Sequence, residues 1–394
     1  MRKFAALSLG LLAIMAQAGQ AESLLQKGNK RWLAIASSQD LDTAIGIARE
    51  FRYVDDGAKV VSSTSGYYGV VLGPYAATSI QQLKKNDQNI PDLPKDALLS
   101  LGEKYSGIVW SQADQGTNWT HYEAGKPAKL SAGDYSFEAK LDQVSDAVAT
   151  TTVTGGFKGA TDFTFVVDKE GEFSPQSPGV AVVKLDPKLE VPQLVFTRYS
   201  GGAHCCTKTW FVFKASQNAG WSMIDGAMLD GDGYWFEDVD GDGAQELLSV
   251  DNNFLYGFDS YAGSIAPLRI AKLRNGSVDD VTEEPAMKKR LKQELAGTEF
   301  EAKLRPELWK ENGFLAGWVA EKIRLGEGDS AWGTAAKNMQ QDTGFGPQEC
   351  TTGQKIDDCP ADKLKPIPIL KGLASFLKEN GYGPLPAAAE ALLK

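Results

Sequence analysis

The sequence predicts a multidomain fold: a small N-terminal α+β domain, a central all-β domain of sandwich or partial propeller-like type, and a C-terminal helical segment. Near the N-terminus, apolar residues alternate between strand and helix periodicity. The middle of the chain consists of short β-rich runs spaced by Gly, Pro and Asp turns, and from residue 286 onward the pattern is helical. The 394 residues, 42% of them hydrophobic, supply enough apolar material for several packed domains.

Residues 1–21 have the pattern of a secretory signal peptide. Arg2 and Lys3 precede an apolar run over residues 4–15, and small residues suited to cleavage follow at Ala18 and Ala21. This run is too short for an ordinary transmembrane helix, and no later stretch approaches the roughly 20 apolar residues that a span requires. We therefore expect a periplasmic or secreted protein without a membrane span.

The α+β domain is predicted over residues 28–110. Its pattern is strand, helix, strand, strand, helix, and the first helix follows a capping region at Ser38 and Asp40. After the second helix comes a polar, proline-bearing insert, and only residues 107–110 offer a late strand. The pattern predicts a compact unit with helices against a sheet.

The stretch GYYGVVLGPY at residues 66–75 resembles the G-x-Y-x-V-x-V-G-P-[FY] segment of the SPOR domain, a small peptidoglycan-binding module of bacterial envelope proteins. The resemblance implies that Tyr67, Gly69 and Val71 lie on an open sheet face, with Trp32 on the neighbouring strand. In the family this face contacts glycan strands stripped of their peptides. Aromatic rings suit sugars because their apolar faces pack against C–H surfaces. The sequence departs from the family at Gly69 and Val71, where many members carry polar or basic residues.

The β-rich domain, predicted over residues 118–284, contains the acidic motif DVDGDGAQE at residues 238–246. The carboxylates of Asp238, Asp240, Asp242 and Glu246 would repel each other without a cation, and Ca²⁺ prefers such oxygen ligands. The carbonyl of Ala244 could add a further ligand. The twelfth position of the motif is a serine instead of the glutamate of an EF-hand, so the motif instead resembles the calcium loop of FG-GAP (VCBS-like) repeats. The alternative is an acidic surface turn without metal.

The four cysteines permit three fully paired connectivities, and export favours pairing. Cys350 and Cys359 would close a short polar loop. Cys205 and Cys206 are adjacent, so they either form a vicinal disulfide or reach different partners. A nucleophilic pair of His204 and Cys205 is disfavoured because neighbouring strand residues point to opposite faces, and a disulfide-fixed turn is preferred.

Charge and motifs favour binding over catalysis. The formal net charge of -10 argues against nucleic acid and anionic membranes as partners. The sequence shows no nucleophile elbow, phosphate-cradling loop, dinucleotide fingerprint or zinc-protease helix. We therefore predict an exported envelope protein that binds the glycan strands of peptidoglycan and has a calcium-stabilised β domain. Two alternatives stay open: an envelope hydrolase acting on glycan or peptide, and a scaffold whose helices in residues 286–394 dock a protein partner.

Overall fold

The computed structural model describes residues 24–54, 57–87, 90, 92–114, 117–143, 149–167, 173–174, 178–216, 218–231, 233–341 and 343–394. The predicted signal peptide, residues 1–21, lies outside the described residues. The described chain consists mostly of β-sheets, five in number, followed by a helical C-terminal region. The expected combination of β-rich domains with a helical tail is confirmed at this level. No helix in the described part of the chain is both long enough and apolar enough to cross a bilayer.

The N-terminal domain is a five-stranded antiparallel sheet with two helices. Its elements are β1 (Lys30–Ser38), α1 (Leu41–Arg49), β2 (Lys59–Ser63), β3 (Tyr68–Ala76), α2 (Ile80–Asn86), β4 (Leu98–Ser100) and β5 (Tyr105–Ser111). The strand order is β4-β1-β3-β2-β5. The late strand expected at residues 107–110 is part of β5, at the edge beside β2, whereas the shorter β4 was not predicted and lies at the edge beside β1.

Both helices of this domain begin at side-chain caps. The Asp40 carboxylate accepts a hydrogen bond from the Thr43 amide at 2.9 Å, and the Ser79 hydroxyl accepts one from the Gln82 amide at 3.1 Å. The apolar positions of α1 then pack against one face of the sheet, where Leu33 and Val70 are fully buried. The opposite sheet face therefore carries the alternate residues of each strand.

The central domain is built from three stacked sheets. Two of them contain β6 (Thr120–His121), β7 (Ala128–Ala132), β8 (Tyr135–Gln143), β9 (Ala149–Phe157), β10 (Phe163–Val167), β11 (Gly179–Val183), β12 (Gln193–Tyr199), β13 (Cys205–Lys214) and β14 (Trp221–Asp230). Strands β7–β10 form one sheet, and β11–β14 with β6 form the other. Their facing sides share a core of aromatic and aliphatic residues, as a sandwich requires.

A third sheet covers the other side of the β11–β14 sheet. It consists of β15 (Trp235–Glu237), β16 (Glu246–Val250), β17 (Leu268–Arg274) and β18 (Ser277–Asp280). Phe211 of the middle sheet packs with Phe236 and Leu247 of the third sheet, and all three are fully buried. The middle sheet is thus buried on both faces, which explains why consecutive residues of β12 are buried from Gln193 to Arg198.

The C-terminal region is mainly helical. It contains α3 (Lys288–Leu304), α4 (Asn312–Arg324), α5 (Gly328–Asn338), the strand pair β19 (Gln348–Cys350) and β20 (Leu364–Pro366), α6 (Ile369–Glu379) and α7 (Ala387–Ala391). Helix α3 joins the three regions: Leu291 packs on the third sheet, Leu295 on the helical core and Phe300 on the N-terminal core.

Candidate functional site

The sheet face opposite the helices of the N-terminal domain is covered at one end. Trp32, Val61 and Val71 form a small cluster on this face, and none of them is exposed. The Trp32 indole nitrogen donates to the carbonyl of Leu24 at 2.8 Å, because the segment before β1 lies across the sheet. Trp32 and Val71, expected from the resemblance to contact a ligand, are therefore not accessible to one in this conformation.

The other end of the same face is an open groove of about 530 Å³. Tyr67, which has 42% of its surface exposed, and Tyr105 line the groove together with Gly69, which lies on β3 two residues after Tyr67. A Cβ atom at position 69 would lie 3.3 Å from Val61 and 3.8 Å from the Tyr105 ring, so the glycine keeps the floor low. Two of the four sheet-face residues named from the sequence thus lie in the groove.

Polar groups surround this aromatic pair. The Tyr67 hydroxyl accepts a hydrogen bond from the Gln39 amide at 3.1 Å, and the hydroxyls of Ser63 and Ser65 lie 2.7 Å apart at the rim. Desolvation raises the pKa of Tyr105, whose hydroxyl also forms a hydrogen bond with Ser100 of the same groove. Rings and hydroxyls together fit a ligand with apolar C–H faces and many hydroxyl groups.

The acidic loop connects β15 to β16 and contains a cation of the protein itself. The Lys272 ammonium group lies 2.6 Å from Asp240, 2.9 Å from Glu246 and 3.1 Å from Asp242. Burial alone would lower the pKa of Lys272, but the hydrogen bonds to Asp240, Glu246 and Asp242 outweigh it and raise that pKa. Lys272 is therefore charged and neutralises part of the loop.

The loop also offers a set of hard oxygen donors. One oxygen from each of Asp238, Asp240 and Glu246 lies within 4.8 Å of the others. Amide groups already hold two of the carboxylates: Gly243 donates to Asp238 at 3.2 Å and Val239 donates to Glu246 at 2.6 Å. The donor chemistry fits Ca²⁺, but Asp240 and Glu246 are shared with Lys272.

Both cysteine pairs form disulfides. Cys350 and Cys359 are joined with their Cα atoms 5.8 Å apart, as expected from the sequence. Cys205 and Cys206 form a vicinal disulfide, which settles the alternative that the sequence left open.

Sequence reasoning missed Tyr105 and Lys272. Tyr105 begins a strand whose predicted start was Gly107. The sequence does contain a signal for Lys272. Along β17, Lys272 lies on the same face as the buried Leu268 and Ile270, and a buried lysine requires carboxylate partners.

Two relatives resemble the chain over most or much of its length. It is 34% identical to the uncharacterized protein y4bJ of Sinorhizobium fredii over 98% of this chain, and it spans only 62% of that protein. It is 35% identical over 237 residues to the probable thylakoid lumen protein sll0997 of Synechocystis sp., a match that covers 59% of this chain and 67% of the relative. Residues 287–381 match the family described as the sll0997 C-terminal domain. No solved structure matches the chain at a significant level. At this identity and coverage, the chain belongs to the family of sll0997.

Proposed function

We propose that this protein is exported and binds the glycan strands of peptidoglycan through the groove on the N-terminal sheet. The observation that carries this proposal is the groove itself, with Tyr67 and Tyr105 beside a floor lowered by Gly69. A denuded sugar chain could pack its C–H faces on the two rings while its hydroxyls bond to the serines of the rim. Trp32 and Val71 lie buried at the covered end of this face, so they would stabilise the sheet by packing and would not touch the glycan.

The strand order supports a SPOR-like assignment of this domain. Its β1-α1-β2-β3-α2-β4 succession has β1 and β3 adjacent, β4 and β2 beside them, and the helices packed on one face. The GYYGVVLGPY stretch contains most of β3 and the two residues before it. The segment that resembles the SPOR domain therefore borders the groove. The resemblance and the groove therefore point to the same face of the sheet.

Export is supported by three independent features. The first 21 residues have a signal-peptide pattern, and Cys350 and Cys359 are joined as is typical of oxidising compartments. A relative of 35% identity is named a probable thylakoid lumen protein. We infer a compartment beyond the cytoplasmic membrane, with the periplasm as the destination that glycan binding requires.

Pelleting with peptidoglycan sacculi tests the groove. The full chain should pellet with amidase-stripped sacculi more than with intact ones, and Tyr67→Ala should lose at least half of that binding because a stacked ring contributes about 0.5–1.5 kcal/mol beyond its buried area. The matched control is Tyr53→Ala, which removes a tyrosine of the same domain that is 84% exposed and lies outside the groove. Absence of pelleting, or equal loss in both variants, would contradict the proposal.

We also propose that the acidic loop holds calcium at Asp238, Asp240, Asp242 and Glu246, with the carbonyl of Ala244 as a further ligand. Calcium would supply structural rigidity between β15 and β16 and would displace the Lys272 ammonium from the three carboxylates that they share, Asp240, Asp242 and Glu246. The loop therefore has a resident cation that calcium must compete with.

A further inference from the structure

The vicinal disulfide lies beside a carboxylate that comes from the neighbouring strand. Cys205 on β13 pairs directly with Asp230 on β14, and the register shifts just after this pair. One ligand atom from each of Cys205, Cys206 and Asp230 lies within 4.8 Å of the others. Cys205 is exposed and Cys206 is half-buried.

Both carboxylate oxygens of Asp230 are held by neighbouring side chains. Nδ1 of His204 lies 3.2 Å from Oδ1, and the Tyr261 hydroxyl donates to Oδ2. His204 stacks on the Tyr261 ring with the centroids 3.9 Å apart, and its Nε2 lies 3.0 Å from the Tyr256 hydroxyl. Among the described residues, no lysine or arginine forms an ion pair with Asp230, whose side chain is only 9% exposed. A fixed, buried carboxylate without a lysine or arginine partner is suited to a cation.

The turn before the cysteines is held without help from the disulfide. The Ser200 hydroxyl donates to the Cys205 carbonyl at 2.8 Å and accepts from the Cys206 amide at 2.6 Å. The Ser200 amide also donates to the Cys206 carbonyl at 2.9 Å. A bond between adjacent residues closes almost no loop, so its entropic contribution to stability is small. The disulfide between Cys205 and Cys206 therefore contributes little to the stability of this turn.

We propose that Cys205, Cys206 and Asp230 form a redox-gated site for a thiophilic cation of the zinc class. In the disulfide state the sulfurs are bonded to each other and the site is closed. A dithiol reductant supplies two electrons and two protons, leaves as a cyclic disulfide, and converts the cysteines to thiols. The cation then binds the two thiolates and the carboxylate with release of the two thiol protons, and a fourth position stays open to water.

Co²⁺ titration tests the site, because thiolate-to-cobalt charge-transfer absorption does not arise from the carboxylates of the acidic loop. The full chain is reduced with dithiothreitol, desalted under nitrogen and titrated with Co²⁺ and then Zn²⁺. We expect one equivalent of Co²⁺ with a charge-transfer band that Zn²⁺ removes, and no such band for the oxidised protein. Tyr261→Phe should weaken the affinity about tenfold by releasing one carboxylate oxygen.

The two disulfides are separated by paired variants. Cys350→Ser with Cys359→Ser should keep the band, whereas Cys205→Ser with Cys206→Ser should lose it. If the latter variant does not fold, iodoacetamide alkylation of the reduced chain that carries Cys350→Ser and Cys359→Ser replaces it and should also abolish the band. A reduced, folded protein without the band overturns the proposal, as does a band that persists without Cys205 and Cys206.

Discussion

At the scale of single residues, Lys272 decides how the acidic loop is neutralised. Its ammonium group contacts three of the four loop carboxylates, and its side chain is only 8% exposed. A lysine and a calcium ion would be alternative solutions to the same repulsion, since both require Asp240 and Glu246. The proposed calcium site can therefore be examined by removing the competitor.

Lys272→Met should lower the stability of the calcium-free protein by about 3–5 kcal/mol, because it leaves the buried Glu246 carboxylate without its cationic partner. If calcium binds the loop, the variant should bind it more tightly than the native chain and regain stability, by about 2.7 kcal/mol at one hundred times Kd. Thermal melts with calcium and with chelator measure both effects, with Lys371→Met as the exposed control. Asp240→Ala should abolish the calcium response. Identical melts with and without calcium in all variants would contradict calcium binding by the acidic loop.

Glu50 should make stability depend on pH. Burial first, and then the charges of Glu294 and Glu301, raise the pKa of Glu50 to about 7. Because this value is above that of the unfolded chain, protonation favours the folded state, and stability declines as pH rises from about 4.5 to about 7. Glu50→Gln should raise Tm above that range and leave Tm unchanged below it. Melts across pH check this against Glu379→Gln, an exposed glutamate, and parallel profiles for the two variants would refute it.

Half of the sheet-face residues named from the sequence, Tyr67 and Gly69, lie in the groove. The period of two in residues 66–75 correctly separated the residues on the helix side from those on the opposite face. It could not show that Trp32 and Val71 lie under the segment at Leu24, since that cover comes from outside the repeating pattern. Tyr105 reaches the groove only through strand pairing, which no local pattern specifies.

At the scale of elements, helices α1 and α3 cross at glycines. A Cβ atom on Gly46 would overlap the carbonyl oxygen of Gln293, and one on Gly297 would overlap the Glu50 carboxylate. The two helices therefore lie closer together than any residue with a Cβ atom would allow at these two positions.

Gly46→Ala should destabilise the protein by about 1–3 kcal/mol, because backbone atoms must move to accept the methyl group. Gly333→Ala, in the middle of α5, is the matched control: nothing lies within 4 Å of its added Cβ, and alanine favours helix. The control should gain about 0.5–1 kcal/mol. Urea unfolding measures both, and a neutral or stabilising result for Gly46→Ala would show that this packing is looser than described.

The periodicity of apolar residues predicted where helices and strands form better than it predicted how the strands pair. The helical pattern expected from residue 286 onward includes α4, most of whose residues are buried. The strand β4 has only three residues after a polar insert, so its pattern was too short to be recognised. The third sheet extends the expected sandwich, because its inner face packs on the middle sheet through a shared core.

At the scale of the whole molecule, Glu237 connects the regions. It directly precedes the acidic loop and accepts Arg49 of α1 at 2.8 Å and Arg290 of α3 at 3.2 Å. All three side chains are at most 13% exposed, so truncating one would leave an uncompensated buried charge. The N-terminal domain, the third sheet and the helical region thus meet at one ion-pair network, which separate sequence segments could not reveal.

Calorimetric titration with soluble, amidase-denuded glycan strands measures whether the groove binds peptide-free glycan. The native chain should release or absorb heat with a saturable isotherm. Gly69→Val should lose binding at least tenfold while keeping its melting temperature within a few degrees, because the new side chain fills the groove floor without meeting backbone atoms. A native chain that gives no isotherm, or a Gly69→Val variant that binds as tightly, would contradict the account.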